Sequence, residues 1–255
     1  MRIDVISLFP EIFISSCKYG VIGRAYLKSL WKLHVWNPKD FTENGNSSVD
    51  DRPYGGGPGM VMKADSLERT TNSVLKARAQ EGLDKNIPPI ILLTPTGIPF
   101  NQKQAKCLSN GSGGILICGR YKGVDQRFID RCVTQELSLG DFVISGGEIA
   151  ALAIIDAVVR LLPGVLNNNQ SSQQDSFHPN LKGLLDNPHY TRPRIYKNSC
   201  VPECLLSGNH EKISEWKRRE SLILTAKKRP DLIVNAKNEG LISESDEQII
   251  QDYIS

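Results

Sequence analysis

Apolar residues fall in short runs along the first 160 positions, and the stretches between the runs carry polar residues at helical spacing. Residues 1–9 predict a first β-strand and Leu33–Trp36 a second, with Pro10 to Lys32 helical between them and broken at Gly20 and Gly23. Asp65 to Glu81 is patterned as an amphipathic helix. Pro89 to Thr94, with Ile90-Ile91-Leu92-Leu93 at its centre, predicts a strand that ends in the turn Thr94-Pro95-Thr96-Gly97. A short helix over Asn101–Leu108 leads to a strand at Ile115–Cys118, which ends in Gly119-Arg120-Tyr121-Lys122-Gly123. A helix from about Val124 to Cys132 follows. Phe142-Val143-Ile144 is a short β-favouring run stopped by Gly146-Gly147, and from Glu148 the residues favour helix until Pro163. Ser145 and Glu148 have the spacing of a capping box, which makes Ser145 the expected N-cap.

Strands alternating with helices predict a parallel α/β sheet covered on both faces. Three consecutive strands each end in a glycine- or proline-bearing loop. In open α/β sheets the ligand crevice lies at the carboxyl ends of the strands, so these three loops are the first candidates for a site. Taken alone, Gly146-Gly147 fits a plain tight turn as well as a ligand-facing one.

Two stretches break the alternation. Residues 42–59 include Asp50-Asp51-Arg52-Pro53-Tyr54-Gly55-Gly56-Gly57-Pro58-Gly59, a glycine and proline density that excludes helix and sheet. A loop this long points to function, and Arg52 with its two aspartates is the substrate-facing candidate within it, a solvated surface being the plainer alternative. Residues 164–182 are polar and poor in aliphatic side chains, with one carboxylate, Asp175; they divide a domain over 1–163 from a mainly helical one over 183–255 and predict a flexible linker. In the second domain, Asn187 to Arg194 is an irregular basic loop, and His210–Lys228 is a charged helix with Ile213, Trp216, Leu222 and Leu224 for its buried face.

Charge changes the picture only towards the C-terminus. Residues 182–230 hold 11 Lys and Arg against 5 Asp and Glu, and residues 231–255 hold 1 against 6. A basic segment of this kind suits a polyanion, or else a solvated helix face. Six cysteines show no paired spacing, so neither a zinc site nor a disulfide framework is expected. The N-terminus lacks the apolar core of a signal peptide, and the apolar run Ile149–Leu162 is too short to span a bilayer; a cytoplasmic protein is the expectation. Neither a P-loop nor a strand-following Gly-x-Gly-x-x-Gly is present, which disfavours kinases and Rossmann nucleotide enzymes.

Asp50 to Met60, Cys118-Gly119-Arg120-Tyr121, Gly140-Asp141-Phe142-Val143-Ile144-Ser145-Gly146-Gly147-Glu148, Pro188-His189-Tyr190-Thr191-Arg192-Pro193 and Leu205-Leu206-Ser207-Gly208-Asn209-His210 together resemble the bacterial tRNA (guanine-N1)-methyltransferases of the SPOUT superfamily. The resemblance covers nearly the whole chain. It implies a sheet ending in a trefoil knot followed by a small all-α, tRNA-binding domain. It implies S-adenosyl-L-methionine bound by Leu93, Pro95, Gly119, Leu139, Gly140, Asp141, Phe142, Val143, Ile144, Gly146 and Gly147. Asp175 aligns with the family's general base and Arg160 with its catalytic arginine. An obligate homodimer shares its active sites between chains, and the target is guanosine 37, next to the anticodon, when another G precedes it. Lys122 departs from the pattern: the family commonly has Glu there, linked to a magnesium dependence, so a magnesium role is held open and no metal ligand is assigned. Phe142 stands where Tyr is usual. Asp156 and Arg160, four apart on an otherwise apolar helix, also fit an ion pair at a buried subunit interface. The competing expectations are another SPOUT RNA methyltransferase and a non-catalytic RNA-binding paralogue.

Overall fold

The computed structural model describes residues 1–43, 48–83, 87–166 and 174–254. Residues 44–47 of the glycine-rich loop and 167–173 of the expected linker therefore lie outside the described residues. The chain divides into two compact units, Met1–Asn167 and Asn168–Ser255.

The first unit is built on β1 (Arg2–Ile6), β2 (Lys32–Trp36), β5 (Ile90–Pro99), β6 (Gly113–Cys118) and β7 (Gln135–Ser138). They form one sheet in the order β2-β1-β6-β5-β7, and each neighbouring pair is parallel. The period of two along each strand divides the core. Ile3, Val5, Ile91, Leu93, Leu116 and Cys118 face one side, where they pack with Phe13, Trp31 and the buried stripe of α6 (Glu148–Val159). Ile6, Ile90, Leu92, Ile115 and Ile117 face the other, against Leu67 and Val74 of α3 (Ala64–Gln80) and Phe128 of α5 (Gln126–Cys132). A sheet covered twice needs strands apolar on both faces, and the short continuous runs satisfy that. From β5 the chain passes through α4 (Gln102–Ser109) to β6 on one side, then through α5 back across β5 to β7. This reversal is a topological switch point of the kind that opens a crevice at the carboxyl ends of the strands.

Four local expectations need correction. The last strand is Gln135–Ser138, not Phe142–Ile144. As an edge strand it pairs only with β5 and needs little more than Leu137 buried, whereas Phe142, Val143 and Ile144 are exposed in a loop. Thr94–Gly97 does not end its strand: the ladder shifts register between Leu93 and Ile98 and then resumes through Pro99. The N-cap of α6 is Gly147 without a side-chain cap, because the Glu148 carboxylate turns inward to Ser7 and Arg120. The first strand ends at Ile6, and Pro10–Lys32 resolves into α1 (Pro10–Ser16) and α2 (Gly20–Leu27). A pairing not read from the pattern joins β3 (Asp50–Asp51) to β4 (Val61–Met62), which closes the base of the glycine loop.

A buried ionic cluster ties β1 to α3. Asp4 accepts from Arg2 Nη2 at 2.8 Å, Arg78 Nη1 at 2.7 Å and Trp36 Nε1 at 2.9 Å. All three charged side chains are almost fully buried.

The second unit is mainly helical: α7 (His210–Lys228), α8 (Pro230–Asn238) and α9 (Glu244–Ile254). Leu184, Leu222, Ile233, Ala236 and Ile250 form its core. It is not purely α, since β8 (Ile195–Tyr196) and β9 (Ser199–Cys200) make a hairpin whose turn residues Lys197 and Asn198 both have positive φ, as a type I′ turn requires. Residues 174–182 belong to this packing: Phe177 N donates to Leu184 O, Asp186 N to Ser176 Oγ, and Pro179–Leu181 form a 3₁₀ turn. Ser243 and Asp246 exchange side-chain and backbone hydrogen bonds at the head of α9, and Arg218 of α7 grips Asp246 with two bonds of 3.0 and 2.8 Å. No helix among the described residues is long and apolar enough to cross a membrane.

Two stability predictions follow from these ion pairs. Asp4→Asn leaves the buried Arg78 guanidinium without a carboxylate partner and Arg2 with only the partly exposed Glu81, and is expected to lower the unfolding free energy by about 3–5 kcal/mol, measured by urea denaturation. A loss under about 1 kcal/mol would refute a structural role for the cluster. Asp246 is opposed by burial, yet its hydrogen bonds to Arg218 and Ser243 hold its pKa well below the ordinary carboxylate value. Its contribution is present above the unfolded-state pKa of about 3.9 and is lost as pH falls below it. Hydrogen exchange along α7 and α9 is expected to accelerate below about pH 4 in the wild type, and Asp246→Asn to remove that acid dependence.

Candidate functional site

The loops leaving β5, β6 and β7 at their carboxyl ends surround a cavity of about 370 Å3. That is within the usual range for a small-molecule pocket, about 300–1,000 Å3. Leu93 and Pro95 line it from the first loop, Gly119 from the second, and Leu139, Gly140, Phe142, Val143, Ile144, Gly146 and Gly147 from the third. The expected cofactor-loop residues are thus brought together, with one exception. Asp141 is exposed and does not line the cavity.

The second and third loops touch backbone to backbone. Gly147 N donates to Gly119 O at 2.9 Å, and Arg120 and Gly146 form an antiparallel bridge. An added Cβ at Gly147 would stand 2.7 Å from Cys118 Cα, and one at Gly146 would collide with the Arg120 and Glu148 side chains. These two glycines are needed for close approach. The first loop is pinned differently: Thr96 Oγ1 donates to Glu136 Oε2 at 2.6 Å.

Arg120, to which the sequence motif assigns no role, stands in the cavity wall. Its guanidinium pairs with Glu148 at 3.0 Å and lies 4.4 Å from the centroid of the Phe9 ring. Glu148 is 1 % exposed, and Ser7 Oγ donates to it at 2.9 Å. The available signal was Glu148 itself, an acid opening an apolar helix, which reads equally as a capping-box member. Burial, with Glu148 beside it, pushes the Cys118 thiol well above its ordinary pKa. A buried thiol shifted in this direction is a poor nucleophile.

Lys122 also lines the cavity, with its stem over the glycine loop, where an added Cβ at Gly59 would stand 2.9 Å from Lys122 Cγ. Met62 and Val124 bridge that loop to the second cavity loop. Beyond Val124 and Gln126 a broad open cleft continues between Arg52, Tyr54, Lys63, Asp125 and Arg127. Arg52 thus faces a charged cleft rather than the apolar cavity. Arg160 is the half-buried C-cap of α6 and does not line the cavity, while Asp156 is exposed. Asp175 is half-buried in the other unit, where its carbonyl accepts from His178 N at 3.1 Å.

A switch-point cavity walled by three strand-end loops defines a ligand-binding α/β protein of the parallel-sheet class. Its family follows from comparison with known proteins. The chain belongs to the tRNA (guanine-1)-methyltransferase TrmD family, a member of the SPOUT superfamily, whose model matches residues 1–235. It is 57 % identical over 250 residues to a protein of Bordetella parapertussis, covering 98 % of this chain and 96 % of that one. It is 51 % identical over 251 residues to one of Polynucleobacter asymbioticus (98 % and 99 %), and 50 % identical over 247 to one of Burkholderia ambifaria (97 % and 92 %). All three carry the name tRNA (guanine-N(1)-)-methyltransferase.

Gly147→Ala is expected to destabilise the protein by about 3 kcal/mol or more, because the obstacle is backbone. Gly119→Ala meets only ordinary contacts, the nearest at 3.6 Å, and is expected to keep the wild-type melting temperature within a few degrees. Thermal melts of the two variants check this; equal melting temperatures would refute it.

Proposed function

We propose that this protein transfers a methyl group from S-adenosyl-L-methionine to N1 of guanosine 37 of tRNA, in the G36-G37 context. The observation that carries the reading is the meeting of the three loops in one cavity within a chain of this family. The cavity suits the donor's adenosyl part: apolar side chains such as Leu93, Leu139 and Ile144 line it, and the Gly119 and Gly146-Gly147 backbone forms part of its wall. Bound there, S-adenosyl-L-methionine supplies an electrophilic methyl group on a sulfonium centre. Asp141, off the cavity surface, contributes through its backbone or not at all.

The rest of the chemistry falls to side chains of the chain. Guanine N1 carries a proton and is a poor nucleophile until that proton leaves. Asp175 removes it as general base, a contribution of about 10²–10⁴-fold. Negative charge then collects on guanine O6, and Arg160 stabilises it. Residues 164–182 act as an interdomain segment and residues 183–255 as the tRNA-binding domain, whose basic loop and α7 meet the phosphates of the anticodon stem-loop. We propose further that the sheet carries the superfamily's trefoil knot and that the protein works as a homodimer with shared active sites. The exposed Ile149 on α6 supports a partner surface there. A cytoplasmic location follows from a tRNA substrate.

Lys122 is the cavity side chain that follows Gly-Arg-Tyr, and no three His, Cys, Asp or Glu side chains gather among the described residues. No residue is assigned to magnesium, and no step is routed through it.

The test incubates the purified protein with labelled donor and unmodified tRNA bearing G36 and G37. N1-methylguanosine at position 37 is expected, and none with A37. Measurable tRNA binding without methyl transfer would overturn the reading in favour of an RNA-binding paralogue. Asp175→Asn is expected to cut turnover by about 10²–10⁴-fold while donor affinity is kept. Full turnover in that variant would remove Asp175 as the base.

A further inference from the structure

Arg120 is held from several directions. Its Nε lies 3.0 Å from Glu148 Oε2 and donates to Oε1 at 3.2 Å, Nη1 donates to Ser145 O at 3.3 Å, and the Phe9 ring covers one face. Ser7 fixes both supports: its Oγ donates to Glu148 Oε1 at 2.9 Å and accepts from Phe9 N at 3.0 Å. A buried carboxylate is retained at a desolvation cost, and a plain turn between β7 and α6 would not require one. Among the described residues Arg120 Nη2 has no acceptor, and the side chain is 21 % exposed in the wall of the cavity. Three of the five N–H groups remain, one on Nη1 and two on Nη2, and the far edge presents one from each terminal nitrogen. That fork matches the spacing of two oxygens on one carboxylate.

We propose that Arg120 binds the α-carboxylate of the methyl donor's amino-acid portion, and that Glu148 and Ser7 are positioning residues that aim it. The inference rests on the cavity being the methyl-donor site. Arg120 belongs to the second loop and is gripped by the third, so the same contacts that shape the cavity set the direction of its free edge. Lys122, another cation of the lining, runs along the glycine loop with Nζ near Gly57, and it serves as the control.

Calorimetric titration of the full-length protein with two ligands tests the proposal. S-adenosylhomocysteine keeps the carboxylate; 5′-methylthioadenosine lacks the whole amino-acid portion. Arg120→Met is expected to weaken S-adenosylhomocysteine by about tenfold or more, the scale of one charged hydrogen bond, and to leave 5′-methylthioadenosine within about twofold. Glu148→Gln and Ser7→Ala are expected to show smaller losses with the same ligand selectivity. The double variant Arg120→Met with Glu148→Gln should bind no more weakly than Arg120→Met, since both act through one contact. Because it leaves no unpaired buried charge, it also carries the test if the single variant fails to fold.

Equal losses for both ligands would reduce the cluster to a structural role and overturn the proposal. So would a loss confined to Lys122→Met, or unchanged S-adenosylhomocysteine affinity with a raised KM for tRNA, which would assign the arginine to RNA. A wild-type protein that binds neither ligand would instead overturn the donor site itself.

Discussion

The whole site depends on one close approach. The loops after β6 and β7 leave the same end of a parallel sheet and meet until Gly147 lies against the Cys118 and Gly119 backbone. A side chain at position 147 would collide with main-chain atoms of a buried strand end, which cannot move without disturbing the sheet. Once the contact is made, α6 must begin at Glu148. Its stripe of Ala150, Ala151, Ile154, Ile155, Val158 and Val159 then packs against the sheet. Burial of that stripe is what holds the contact shut, at about 25 cal/mol per Å2 of apolar surface removed from water. Cavity geometry is therefore fixed by core packing behind it and not by the loops' own propensities.

Charge is handled differently at the two ends of the first unit. Near the amino ends of the strands, Arg2, Asp4 and Arg78 are buried together and neutralise one another only in part. Glu81 adds a partly exposed carboxylate 2.8 Å from Arg2. At the carboxyl ends the buried charge is the Glu148–Arg120 pair, and one member of it reaches the cavity. The first cluster joins strand to helix; the second joins loop to loop and presents a guanidinium to whatever occupies the space. A buried pair contributes little net stability over an apolar substitute, so its presence beside a pocket weighs more as chemistry than as reinforcement.

Most of the first unit was legible because its strands are buried on both faces and read as short apolar runs. What the pattern misassigned was decided by contacts distant in sequence. Gln135-Glu136-Leu137-Ser138 looks polar, yet an edge strand needs one partner and one buried leucine. Phe142-Val143-Ile144 looks like a strand, yet Val143 is 90 % exposed, because these side chains wall a cavity and do not enter the core. The capping-box spacing of Ser145 and Glu148 was real in sequence but lost to Ser7, 141 positions away, which claims the same carboxylate. The loop residues that line the cavity came from a family motif; periodicity carries no information on which backbone atoms face a ligand. Arg120 lay in plain sight within Gly119-Arg120-Tyr121. Only its position between Glu148 and Phe9 distinguishes it from a solvated arginine.

The proposed reaction explains why the chain divides its charged groups as it does. Methyl transfer to guanine N1 begins with a positive sulfonium and a neutral base and ends with a neutral thioether, a methylated base and a released proton. An acid is of no use to the nucleophile; an acceptor for that proton is. In the proposed reaction that acceptor is Asp175, which is half-buried and lies outside the Arg120–Glu148 pair, so the two carboxylates would not compete for one role. Glu148 is 1 % exposed, its Oε1 accepts from Ser7 and Arg120, and its Oε2 lies 3.0 Å from Arg120 Nε, so its charge is committed to the arginine. Holding one carboxylate rigid and leaving the other to the reaction separates binding from proton transfer, and it lets the cavity keep its shape through the step in which charge moves.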